Sequence, residues 1–454
     1  MKKLIVILAI MLFVCASASA QPYGRIISLY AAHTENLFSL GLGSQIIGVS
    51  PSEAFPLEAL RKPVFSYRAD PERVIAADPD LVLIRPFIQR RHPAFVKKLR
   101  DAGINVVSLQ PTTFEQMFSY WIRLGELTGR VREARFMVER FKKGVDKIKN
   151  IVRRIPESQR KRVFFESIHR GPKTVAPTSI AHTALEIAGG VDVATDAVVA
   201  KKGSNIAYYS KEKLLSHADE IDVYIAQKGA MNHVRLRKIY EESGYGAIRA
   251  VKEHQVYIID EKIVSRPTMR LLYGIEELGR IMYPVYFNDV SKYDNSKPID
   301  KIQMAEIIIK LTNMRYKTPN YRRYWERDYI TTPGGRHFYG YFKDIDYNTH
   351  EHLYAETAVY HSFVPLDSPY YFCPKRPVTR KELAYAIFVI FDLPERKYVP
   401  IKDVSESSPF YNHIESVVSN GIIGLKNGRF YPNGVVSGKE TIKCIKRAME
   451  IVGK

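Results

Sequence analysis

Arg25-Ile26-Ile27-Ser28-Leu29-Tyr30-Ala31-Ala32-His33-Thr34-Glu35, then Leu37-Phe38-Ser39-Leu40-Gly41-Leu42-Gly43, then Ile46-Ile47-Gly48-Val49-Ser50, is the stretch that decides the fold. Ile26, Ile27 and Leu29 predict a buried strand. Thr34 is suited to cap a helix, and Glu35 to sit at the positive end of its dipole. Gly41 and Gly43 close that helix, and Ile46 to Val49 begins a second strand. Strand, helix and strand in so short a span open a parallel α/β sheet, although any βαβ unit begins in this way.

The alternation continues outward. Asp70-Pro71-Glu72-Arg73 starts a helix with Asp70 as its cap and Pro71 in its first turn. Asp78-Pro79-Asp80 turns into a strand over Leu81 to Ile84, a helix follows through Phe95 to Ala102, and Gly103 to Leu109 is the next strand. From Thr113 to Arg154 the period is helical: Phe114, Met117, Trp121, Leu124 and Leu127 recur at spacings of three and four. Val131 to Ile155 then runs without proline as one long helix. A second α/β region repeats the scheme. It has strands at Arg162–Glu166, Asp222–Ile225 and Val256–Ile259, helices capped at Ser179 and Ser210, and a closing helix that ends near Tyr283-Pro284.

At the other end, Lys2-Lys3, an apolar run from Leu4 to Val14 and Ala18-Ser19-Ala20 have the form of a secretory leader, with Gln21 as the first mature residue. Val14 precedes Cys15 where a lipidated cysteine usually follows Gly, Ala or Ser, so soluble export is the expectation. Hydrophobic residues make up 46% of the 454, enough for sizeable cores. Cys373 and Cys444 remain after the leader, and sequence leaves open whether they pair. The net charge of +20 suits an anionic ligand, membrane or wall polymer. Export, and the lack of an aromatic-studded recognition motif or zinc spacing, argue against nucleic acid. No nucleophile elbow, HExxH or phosphate loop is present, so no enzyme chemistry and no resident cofactor are expected.

Taken in order, these landmarks from Arg25 to Pro284 resemble the periplasmic binding proteins that carry iron-siderophores, haem or cobalamin to ABC importers. The resemblance implies two Rossmann-like lobes, over 21–112 and 157–288, joined by a long rigid helix within 113–156. It places the ligand on loops at the carboxyl ends of the strands. Those loops carry Tyr30 and His33; Tyr67 and Arg68; Arg85 and Phe87; His169 and Arg170; Tyr208 and Tyr209; and Arg266. Aromatic rings stack on a macrocycle or catecholate face, and arginines pair with anionic oxygens. His33, His169 and Tyr67 are candidate haem-iron ligands. Each of these side chains is equally at home as an ordinary loop residue. The resemblance also makes Glu72 and Glu212 the contacts to an ABC permease, though the first turn of a helix favours a carboxylate in any case.

Residues 289–298 read as a linker, and 299–454 as a different, mostly helical region built of repeats. Phe342-Lys343-Asp344-Ile345 answers to Ile401-Lys402-Asp403-Val404, Phe372-Cys373-Pro374 to Phe430-Tyr431-Pro432, and Val378-Thr379-Arg380-Lys381-Glu382 to Val436-Ser437-Gly438-Lys439-Glu440. Ile299 to Leu311 is a degenerate first copy that keeps only a helix. With Asn420-Gly421-Ile422-Ile423-Gly424 added, this resembles the S-layer homology repeat, which implies binding to peptidoglycan or anionic wall polysaccharide through Arg380, with Lys439 as a substitute in the third copy. The plain alternative is that Thr379 and Glu382 form a capping box only. The whole reads as an exported solute-binding protein for a metal chelate with a wall-anchoring tail; the alternative is a structural or adhesive envelope protein that reuses the fold.

Overall fold

The structure, a computed structural model, describes residues 23–201, 203–317, 330–332, 335–337, 342–366, 368, 370–395 and 397–453. The expected leader lies outside the described residues. The chain divides into two compact units. One comprises Met1–Pro51, Lys62–Gln110 and Phe118–Val138, and the other Ser52–Arg61, Pro111–Met117 and Glu139–Lys454.

The first unit is built on a four-stranded sheet: β1 (Ile26–Ser28), β2 (Ile46–Val49), β3 (Leu81–Ile84) and β4 (Asn105–Ser108), in the order β2-β1-β3-β4. All its pairings are parallel, with Ile26 opposite both Ile46 and Leu81 and Leu81 opposite Asn105. Apolar strands of this kind are buried on both faces by the helices that connect them. Ile27, Val82, Ile84, Phe95, Val96 and Leu99 form the shared core. The first helix starts at Ala31, not at Thr34, with Tyr30 at the N-cap position and no side-chain capping hydrogen bond there. Thr34 and Glu35 are therefore buried inside the helix, and the Thr34 hydroxyl donates to Ser28 Oγ at 2.8 Å. Ser28 and Thr34 lock the turn between strand and helix, a role that local capping statistics do not reveal.

The second unit carries a seven-stranded sheet of β5 (Arg162–Ile168), β6 (Lys173–Val175), β7 (Val191–Asp192), β8 (Val198–Val199), β9 (Ile206–Tyr208), β10 (Val223–Lys228) and β11 (Val256–Asp260). Its order is β11-β10-β5-β6-β9-β8, with β7 on β5. The expected all-parallel alternation holds for β5, β7, β10 and β11. It fails for β6, β8 and β9, which pair antiparallel. The reason is local: Gly171 takes a φ of +66° just after β5 and turns the chain straight back as β6, with no crossover helix. Ser179 and Ser210 cap their helices as read, accepting from His182 N and Lys213 N. The long helix runs Val131–Val152, about 33 Å. It stops short of Ile155 because a residue before proline, here Pro156, avoids the α region.

The C-terminal region of this unit is a closed ring of three. Helices Lys301–Leu311, Arg380–Ile390 and Gly438–Ile451 are capped in turn by Asp300, Thr379 and Ser437. Ile299 N–H donates to Val436 O (3.1 Å), Val436 N–H to Val378 O (3.0 Å), and Val378 N–H back to Ile299 O (3.1 Å). The degenerate first copy thus supplies the third side of a pseudo-threefold ring, and the helix it keeps is the part the ring needs. The segment read as a linker is tied down. Tyr293 Oη donates to Glu306 at 2.6 Å, and Asn295 O and Lys297 O accept from Lys439 N and Gly438 N. Polar residues suit such an edge as well as they suit a linker, so composition alone does not separate the two. Cys373 and Cys444 are both free; Cys444 is buried, and burial pushes its thiol up to about 12.

Candidate functional site

The first sheet has a topological switch between β1 and β3, because the chain leaves β1 toward β2 and then crosses back to β3. In open α/β sheets this is where loops splay apart at the carboxyl ends and make room for a ligand. Tyr30 follows β1 there, and Arg85 follows β3. The Arg85 guanidinium carbon lies 5.3 Å from the Tyr30 ring centre and 5.0 Å from that of Phe87. Tyr67 meets Phe87 edge-on at 6.3 Å, and Arg68 lies 5.5 Å over Tyr67. All but Arg68, which is exposed, are half-buried. Five residues from three loops therefore form one patch of three rings and two guanidiniums. Guanidiniums over ring faces are held without a carboxylate and keep N–H edges for an anion. His92, 4.8 Å from Tyr67, joins this patch; its place at the end of a helix gives no signal in the sequence.

His33 is not a loop ligand. It is fully buried; its Nε2 lies 3.1 Å from Ile84 O, and its Nδ1 2.7 Å from Tyr120 Oη. A carbonyl only accepts, so Nε2 carries the proton and Nδ1 accepts from the tyrosine hydroxyl. Burial, helped by Arg85, lowers its pKa to about 4 and keeps it neutral. His33 instead ties the end of β3 to the first helix, edge-on to Tyr30 at 5.1 Å, and so supports the patch from below. Tyr120 and Asn36, which complete this network, are visible only once the helices are placed.

In the second unit, Tyr209 is also corrected: it is buried in the core beside Phe164. Its neighbour Tyr208 is 54% exposed, under Lys173 at 5.4 Å, as strand alternation requires. His169 is anchored to the buried Glu166 carboxylate at 2.8 Å, and that hydrogen bond raises its pKa. Tyr224 Oη and Asn232 Nδ2 also donate to Glu166, and His169 Nε2 faces Glu242 at 3.9 Å. With carboxylates on both ring nitrogens, His169 is not placed as an iron ligand. Arg170 is exposed beside it, and Arg266 is half-buried after β11.

Glu72 opens the helix Glu72–Ala76 and pairs with Lys98 at 2.8 Å; this hydrogen bond lowers its pKa. Glu212 is exposed in the first turn of Lys211–Ser216. Arg380 is not free for a wall polymer. Its Nε and Nη2 donate to Phe430 O and Gly424 O at 2.8 and 2.9 Å, and Nη1 pairs with Glu440. It pins the second copy to the third. Lys439 is exposed. The loss of arginine at Gly438 has a physical cause: a Cβ there would stand 2.0 Å from Tyr293 O, where the ring closes.

Comparisons with known proteins agree with this architecture. A profile described as periplasmic binding protein matches residues 26–263, more than half of the chain, and one described as S-layer homology domain matches 400–442. The chain is 27% identical over 269 residues to the uncharacterized ABC transporter substrate-binding lipoprotein YvrC of Bacillus subtilis, covering 58% of this chain and 82% of that one. It is 22% identical over 271 residues to the vitamin B12-binding protein of Vibrio cholerae, covering 59% and 92%. A solved structure of a possible iron-binding (periplasmic solute-binding) protein from Staphylococcus epidermidis aligns with a TM-score of 0.52 and 27% identity, over 58% of this chain and all of that one. A periplasmic binding protein from Veillonella parvula aligns at 0.50 and 22%, over 59% and 93%. Such relatives are solute-binding proteins and not enzymes; they imply a permease partner, and the repeat implies a wall polymer. Among the described residues no helix is long and apolar enough to cross a membrane. The chain belongs to the periplasmic binding protein family, as an exported cell-envelope member with an S-layer homology domain near its C-terminus.

Proposed function

We propose that this protein captures a metal chelate (a ferric siderophore, haem or cobalamin), its basic loops favouring an anionic iron chelate, for an ABC importer while its C-terminal repeats hold it to the wall. The observation that carries the reading is the seating of Arg85 between the rings of Tyr30 and Phe87 at the switch point of the first sheet. A flat or macrocyclic ligand with peripheral carboxylates or anionic oxygens would find stacking surface and charge together there. The similarity to the vitamin B12-binding protein of Vibrio cholerae and to the possible iron-binding protein of Staphylococcus epidermidis supports a metal-containing ligand. On this reading 21–112 and 157–288 are the two lobes, Arg170, Tyr208 and Arg266 complete the ligand surface, and Glu72 and Glu212 dock on the permease. Lys439 and the third repeat contact the wall polymer. Calorimetric titration of the mature chain, from Gln21 onward, with haemin, a ferric hydroxamate, a ferric catecholate and cobalamin tests it. Sub-micromolar binding of one, weakened at least tenfold by Arg85→Ala at unchanged melting temperature, supports the reading. Silence from all four in a folded chain overturns it.

A further inference from the structure

The loop after β2 is unusual for a surface connection. Ser52–Arg61 buries Glu53, Ala54, Phe55, Pro56 and Ala59, whereas loops between strands normally lie polar and open to water. Phe55 is 2% exposed, with the Arg270 guanidinium 4.3 Å from its ring and the rings of Tyr347 and His352 edge-on at 5.4 and 6.1 Å. Tyr347 and His352 belong to the second repeat copy. The loop bearing Tyr347 is itself gripped from two helices. Arg140 Nη1 lies 3.0 Å from Asp346, its Nη2 donates to Asn348 O at 2.6 Å, and Tyr273 Oη donates to Thr349 O at 2.6 Å.

We infer that the second repeat copy is an intramolecular clamp, and that its occupant is the 52–61 strap of the same chain. The strap leaves β2 at Val49 and returns at Phe65, whose N–H donates back to Val49 O at 2.8 Å. Ser66, Tyr67 and Arg68 follow at once. The clamp stands on the contacts of Phe55 and on the grip of Arg140 and Tyr273 on the Tyr347 loop.

Hydrogen exchange of the full mature chain, without solute, tests the clamp independently of the proposed function. In the Arg140→Ala/Tyr273→Phe variant, amides of 54–61 should exchange at least tenfold faster, with amides of 223–228 unchanged. Unaltered protection of 54–61 would overturn the clamp whatever the titrations show. If the double variant fails to fold, Tyr273→Phe alone, which removes one hydroxyl, is read the same way.

Discussion

The second and third repeat copies share one construction and face opposite duties. In each, an aspartate opens the copy and clamps two backbone N–H groups of its later turn. Asp344 accepts from Phe372 N and Cys373 N at 3.0 and 2.7 Å, and Asp403 from Phe430 N and Tyr431 N at 2.7 and 2.8 Å. Cys373 and Tyr431 take the same left-handed φ, 58° and 57°. The helices that follow then diverge. His350–Tyr360 buries every residue from His352 to Val359, whereas Tyr411–Ser419 buries only Tyr411, Ile414, Ser416 and Val417. The second copy is turned inward, onto the strap and the 271–282 helix, and the third keeps an open face. The third copy spans the match to the S-layer homology profile, at 400–442.

Four predictions sharpen or break this comparison. The largest effect is expected from the clamps. Asp344→Ala and Asp403→Ala each remove a carboxylate from two backbone donors, worth about 4 kcal/mol by denaturant unfolding. Asp344→Ala should also loosen 54–61 in hydrogen exchange, and Asp403→Ala should not; equal loosening would dissolve the distinction. Next comes ring closure. Gly438→Ala drives a Cβ to 2.0 Å from Tyr293 O and should cost about 2 kcal/mol, whereas Gly424→Ala, with nothing within 4 Å, should stay within about 0.5 kcal/mol.

The inward copy also carries a titratable burden. The Glu356 carboxyl is fully buried, 3.3 Å from His352 Nε2, with no hydrogen bond to either oxygen among the described residues. Burial raises its pKa well above 4.5, so the folded chain keeps the proton that the unfolded chain releases. Stability from this group is full below pH 4.5 and falls as pH rises, by at most about 1.4 kcal/mol per unit, until the folded pKa is passed. Glu356→Gln should flatten that fall, and a parallel pH profile would contradict the burial. The smallest stability effect is at the open face. Lys439→Ala should change unfolding by under about 0.5 kcal/mol, yet weaken cosedimentation with native wall sacculi several-fold. Arg380→Ala should do the reverse, lowering stability first.

Much of this was legible in the chain. The strands from Ile26 to Ser108 could be read because buried parallel strands are short apolar runs between turns. The caps at Ser179, Ser210 and Thr379 could be read because their chemistry is local. The repeat could be read because its matched segments, Asp344 with Asp403 and Phe372 with Phe430 among them, recur at nearly the same offset. What escaped depends on partners distant in sequence. His33 looks like a loop residue until Ile84 and Tyr120 close on it, and Arg380 looks free until Glu440 and Phe430 O take its edges. The antiparallel strands β6, β8 and β9 are two or three residues long, too short for a period to show. Five of the ligand-loop residues do come together, because loops at a switch point converge wherever the sheet order demands it.

Hydrogen exchange of the intact mature chain, with and without native wall sacculi, addresses the inward and outward copies most directly. Amides of 350–360 should be slow in both conditions and unmoved by sacculi, while amides of 426–441 gain protection when the wall is added. Protection gained at 350–360, or none gained in the third copy, would contradict the account.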